Sequence, residues 1–102
     1  MIVRIEIDGR RAGLYEYLVR HEAEDLYGDG GLASVSDSLV AAVEGLPPDV
    51  IGVEVSYRGV VSGTYPLQVV AMNLDQVAAH AVNTTEAIEE ALGNSASDHA
   101  NS

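Results

Sequence analysis

The sequence predicts a small α+β domain: a three-stranded, mainly antiparallel sheet with helices on one face, in the order β-α-α-β-β-α. Three observations carry this expectation. Val50 to Arg58, V-I-G-V-E-V-S-Y-R, alternates, with Ile51, Val53, Val55 and Tyr57 on one side and Gly52, Glu54, Ser56 and Arg58 on the other. Ile2 to Asp8 alternates in the same way, with Val3, Ile5 and Ile7 set against Arg4, Glu6 and Asp8. Successive strand residues point to opposite faces, so each stretch reads as a strand with one buried and one wet face. Elsewhere the apolar period lengthens towards that of a helix.

In chain order, Asp8-Gly9 reads as a turn after the first strand. From Ala12, the residues Tyr15, Leu18, Val19, Ala23 and Leu26 fall near helical spacing, and Gly28-Asp29-Gly30-Gly31 would end that helix. Ser34 or Ser36 suits an N-cap for a second helix, with Asp37 near its positive end. Leu39, Val40 and Val43 would be its buried stripe, stopped by Gly45 and Pro47-Pro48. Gly59 to Pro66 reads as a hairpin connection with a short extended piece at Val60-Val61. Leu67 to Met72 fits a strand, although Leu67, Val70, Leu74, Val77 and Ala81 also lie at helical spacing. Strand is preferred because Asn73 and Gln76 resemble a capping box at a later helix start. From there Leu74, Val77, Ala78, Ala81, Thr85, Ile88 and Leu92 form a helical stripe, with Asn83-Thr84-Thr85 a potential kink. Residues 1–93 are expected to form one globular domain, and 94–102, N-S-A-S-D-H-A-N-S, a disordered polar tail.

Composition narrows the function classes. The chain has 102 residues, 47% of them apolar, with no Phe, no Trp and no Cys, so a thin aliphatic core and no thiolate chemistry are expected. Sixteen acids against five bases, all Arg, give a net charge of −11, which disfavours nucleic acid and anionic membranes and favours basic partners. The absence of Lys beside abundant Ala, Val and Gly suggests a GC-rich coding genome, as in a bacterium or its phage. The charged N-terminus M-I-V-R-I-E-I-D lacks a signal-peptide core, so a cytoplasmic location is expected. The longest uncharged run, Gly59 to Leu74, is broken by Gly63, Pro66 and Asn73 and predicts no membrane span.

Chemistry-bearing patterns are sparse. His21, Glu24 and Asp25 at i, i+3, i+4 would share a helix flank whose imidazole and carboxylates a divalent metal would accept, but a solvated acidic face is the favoured reading. Ser34, Ser36, Ser38, Ser56 and Ser62, with His21 and His80, lie in no nucleophile motif, and Gly28 to Gly31 follows a predicted helix rather than a strand, unlike a phosphate loop. Neither a cofactor nor a metal is expected. The usable signal is charge segregation. Met1 to Arg20 holds four of the five Arg, His21 to Tyr57 holds eight acids and no Arg, and five acids and no base follow Arg58. The leading expectation is a non-enzymatic acidic protein-interaction or assembly module. Its basic protein partner would engage Glu22, Glu24, Asp25 and Asp29, which are placed at a helix C-terminus where the macrodipole disfavours acid. The alternatives are an acidic inhibitor occupying a basic nucleic-acid-binding site, and a small enzyme or ligand-binding domain. Self-association is expected through a sheet edge or the last helix.

Overall fold

The computed structural model describes residues 1–9, 11 and 13–93 in full, and gives the backbone alone at Arg10 and for the rest of the last helix to Asn101. The chain is an α+β domain built on a five-stranded mixed sheet. Its elements run β1 (Ile2–Arg11), β2 (Leu14–His21), β3 (Glu24–Leu32), α1 (Val35–Glu44), β4 (Gly52–Tyr57), β5 (Val60–Pro66), α2 (Leu67–Met72) and α3 (Leu74–Asn101). Spatial order is β3-β2-β1-β4-β5, with β1 and β4 parallel and every other neighbour antiparallel. The expected three-stranded sheet is therefore corrected to five strands, and the expected order to β-β-β-α-β-β-α-α.

The two alternating stretches lie at the centre. β1 pairs β4 from Ile2 opposite Gly52 to Ile7 opposite Tyr57. Val3, Ile5, Ile7, Val53, Val55 and Tyr57 are buried beneath the helices, while Arg4 and Glu6 turn towards the open face. Ile51, assigned by alternation to the buried face, lies just before β4 at the end of the sheet and is 69% exposed. Asp8-Gly9 is not a turn: β1 continues to Arg11, and Gly13, with φ +77°, supplies the left-handed backbone of the β1–β2 connection.

The main correction concerns residues 14 to 32, which form two strands rather than a helix and a glycine loop. Tyr15, Leu18, Val19, Ala23 and Leu26 fit a helical period, but Tyr15, Tyr17 and Val19 also fit a period of two. Aromatic and β-branched side chains favour the strand. The non-local partner settles it: β1 needs an antiparallel neighbour, and β2 supplies one from Arg20 opposite Arg4 to Leu14 opposite Arg11. Tyr17 and Val19 are then buried. The glycines of 28–31 lie within β3, where a Cβ on Gly28 would stand 2.6 Å from the Tyr17 carbonyl oxygen.

The α1 helix forms where its signals place it. Ser34 is the N-cap, its Oγ accepting from the Asp37 N–H at 3.0 Å, and Gly45 closes the helix. Val35, Ser38, Leu39 and Ala42 are buried, whereas Val40 and Val43 are only partly so. The Tyr27 hydroxyl donates to the Ala42 carbonyl and fastens the end of α1 to β3. A Cβ at Gly45 would meet the Tyr27 ring at 2.9 Å.

The remaining corrections lie at the far edge. Val60–Pro66 is a full strand, joined to β4 by an Arg58-Gly59 turn with φ +51° and +80°. Type I′ hairpins need positive φ at both central residues. Because β5 already occupies that side of β4, Leu67–Met72 does not extend the sheet; it is a short helix burying only Val70. Asn73 is no capping box: its side-chain amide donates to the Val69 carbonyl and closes α2. The α3 helix runs as one element through Asn83-Thr84-Thr85. The expectation of a disordered tail over 94–102 lies outside the fully described residues. Val77, Ala78, Ala81 and Thr85 are buried, and the Thr85 hydroxyl donates to the Tyr57 carbonyl at 3.1 Å. Thr85→Val keeps the shape and removes that bond, and should cost about 1–2 kcal/mol in urea unfolding. An unchanged midpoint would show that the bond contributes nothing net.

Candidate functional site

The sheet carries its helices on one face and leaves the other open. Alternation places Arg4 and Glu6 of β1, Arg20 of β2 and Glu54 of β4 on that open face, and the register brings them side by side. Arg4 contacts Glu54 at 2.6 Å, Arg20 contacts Asp25 at 2.8 Å, and Glu6 lies between the two guanidinium groups at 3.7 and 3.6 Å. Arg20 Nε and Glu54 Oε1 are shielded from solvent but lack a hydrogen bond of good geometry, so these contacts are attractions between charges approached off the N–H axis. Such partly exposed pairs are worth roughly 0–1 kcal/mol each. They fix the register of four adjacent strands more than they add stability. Arg4 and Glu54 are direct cross-strand partners. Arg58 instead reaches out of the sheet, contacting Glu89 at 3.3 Å with its guanidinium 5.0 Å above the Tyr57 ring.

Beyond this ladder the face becomes acidic. Asp8 stands opposite Glu16 across β1 and β2, and Tyr17 opposite Asp29 across β2 and β3. Glu6, Asp8, Glu16, Tyr17, Leu18 and Asp29 border a depression of about 350 Å³.

Glu22, Glu24, Asp25 and Asp29 are all exposed, but not on a helix. Glu22 is in the β2–β3 turn, Glu24 and Asp25 begin β3, and Asp29 lies farther along that strand. The macrodipole argument for their placement therefore fails, since no helix end is present. What replaces it is an edge: β3 is paired only with β2 and carries three of the four carboxylates. Charges on an edge strand also deter pairing with another copy of the same strand.

The turn has a local peculiarity. Glu22 has φ +56°, a left-handed conformation that costs a residue with a Cβ about 1–2 kcal/mol relative to glycine. Glu22→Gly should therefore raise stability by about 0.5–1 kcal/mol, and Glu22→Val should lower it. Equal melting temperatures for the two variants would contradict this account of the turn.

The metal arrangement read from a helix flank also dissolves. His21 and Glu24 oppose each other across the hairpin, while Asp25 turns to Arg20. Among the described residues no group of three or more His, Asp or Glu side chains is placed to hold a metal ion. The serine hydroxyls have structural partners where bonds are seen. Ser34 caps α1, Ser38 donates to the Ser34 carbonyl, Ser36 donates to Asp75, and Ser62 donates to the Val55 carbonyl. His80 is exposed on α3.

Among the described residues no helix is long and apolar enough to cross a membrane. No protein-family model matches the chain, and neither does any curated protein or solved structure.

Proposed function

We propose that this domain is a non-enzymatic acidic interaction or assembly module whose β2–β3 hairpin engages a basic protein. The observation that carries this reading is the exposure of Glu22, Glu24, Asp25 and Asp29 together on one hairpin and its edge strand. Among the described residues, only Asp25 of the four has a basic partner, Arg20. A net charge of −11 adds a long-range field that draws cationic partners and speeds encounter. The open face beside the hairpin continues the charge through Asp8 and Glu16. That breadth favours, as a second reading, an inhibitor that covers a basic nucleic-acid-binding site of its target.

Charge reversal tests the proposal. Glu22, Glu24, Asp25 and Asp29 are changed to Lys, and in a separate variant Glu86, Glu89 and Glu90 are changed likewise. The partner captured from the native host by the unaltered chain is then titrated with each. Binding should be lost with the first set and largely kept with the second, and should weaken steeply with salt. Equal loss in both sets, or in neither, would reduce the hairpin to part of a generally solvated surface. Competition between nucleic acid and this chain for the partner would select the inhibitor reading.

A further inference from the structure

Charge is absent from one part of this acidic molecule. Gly59 to Leu74 contains no Asp, Glu, Lys, Arg or His, and it folds into β5 and α2, which lie side by side at the sheet edge opposite the acidic hairpin. Two exposed large apolar residues of α2 belong to this stretch, Val69 at 42% and Met72 at 83% exposure, whereas Val61 stands opposite Ser56 and so lies on the sheet's open face. Val69 borders a depression of about 390 Å³ together with Tyr65, Asn73, Gln76, Val77 and His80, spanning β5, α2 and the start of α3. The carboxylate next in sequence, Asp75, is engaged by the Ser36 hydroxyl.

We infer that the uncharged β5–α2 face is a self-association surface occupied by a second copy of this chain. The argument for that occupant is electrostatic. Two copies, each carrying −11, repel where their acidic surfaces approach, whereas here they can meet without setting the carboxylates of the hairpin or of α3 against each other. The other apolar outcrop on α3, Ile88 and Leu92, is flanked by Glu86, Glu89 and Glu90, which would oppose their own copies. A basic partner would gain nothing from a face without carboxylates.

The contact is made by side chains rather than by extending the sheet. Val55 faces Gly63 but Ser56 faces Val61, so Ser62 is an extra residue that bends β5, and Pro66 offers no N–H at its end. Bulges and proline at an edge discourage strand addition. Met72, long and adaptable, and Val69 are the side chains an isologous contact would set against the partner copy's depression.

Sedimentation of the full chain at high micromolar concentration, in about 0.05 and 0.5 M salt, tests this inference. A species of twice the 10.7 kDa protomer mass is expected, and it should strengthen as salt screens the repulsion. That direction is opposite to the one expected for a basic partner at the hairpin, so the two proposals fail separately. Met72→Glu and Val69→Glu, both at exposed positions and checked for native circular dichroism, should each weaken the dimer about tenfold or more. Reversal of the four hairpin carboxylates should leave it intact. Monomers at both salt concentrations, association that salt weakens, or a dimer indifferent to both glutamate substitutions would each overturn the inference.

Discussion

Ile5→Ala should lower the stability of the fold by about 3–4 kcal/mol, the upper part of the range for emptying a core site. Ile5 is wholly buried on the central strand, with Val19 and Val55 beside it in the two neighbouring strands. Without Phe or Trp, the core consists of branched aliphatic side chains and tyrosines, and the rigid sheet beneath Ile5 can collapse little to fill a void. For a domain of this size the loss corresponds to about 15–25 °C in melting temperature. Ile5→Val, which removes one methylene, should cost only about 1 kcal/mol. Calorimetry of the three proteins checks the ranking, and equal melting temperatures would mean that the centre of the core lies elsewhere.

The fold should also fail on the alkaline side, between pH 10 and about 12, because tyrosine carries much of the packing between sheet and helices. Burial, and secondarily the neighbouring Tyr17, pushes the Tyr27 hydroxyl up to about 12. Burial also raises Tyr17, helped by Asp29, and Tyr57, where nearby Arg58 partly opposes the shift. A group whose folded value lies above its unfolded value of 10 favours the folded state while it remains protonated. Its contribution is complete below pH 10 and declines as pH rises towards about 12. For Tyr27 the geometry shows what is lost: the ionised oxygen can no longer donate to the Ala42 carbonyl, and α1 loses its tie to β3. Urea unfolding from pH 8 to 12 should show stability falling above pH 10. Tyr27→Phe should be less stable at pH 8 and should fall less steeply above pH 10. A variant as steep as the native protein would place the alkaline sensitivity on other groups.

Local signals were legible where one element suffices to satisfy them. Ser34, Asp37, Leu39 and Gly45 specify cap, dipole, stripe and stop within α1 itself, and the helix forms there. β1 and β4 were readable because each alternates over six or more residues. Residues 14–32 were misread because their apolar positions satisfy both a period of two and a period near 3.6. The decision lay with β1, which precedes them in the chain and offers an edge. At Leu67 to Met72 the reasoning failed in the opposite direction. The residues suit a strand, but the edge of β4 had already been taken by β5.

The candidate site divides in the same way. That Glu22, Glu24, Asp25 and Asp29 form an acidic group follows from their closeness in sequence, and their exposure follows from the cost of burying charge. Their setting on a hairpin and sheet edge, with Asp8 and Glu16 on the adjoining face, depends on pairing between segments that share no local signal. The sequence by itself determined the charge asymmetry, the first helix, the two central strands and the acidic cluster, since each rests on composition or on interactions within a few residues. Only the tertiary structure decided that the sheet has five strands, that β1 and β4 run parallel, and that the acidic and uncharged edges stand on opposite sides. The physical reason is that strand pairing is satisfied between segments distant in sequence, so which stretch becomes a strand depends on which edge is still open to it.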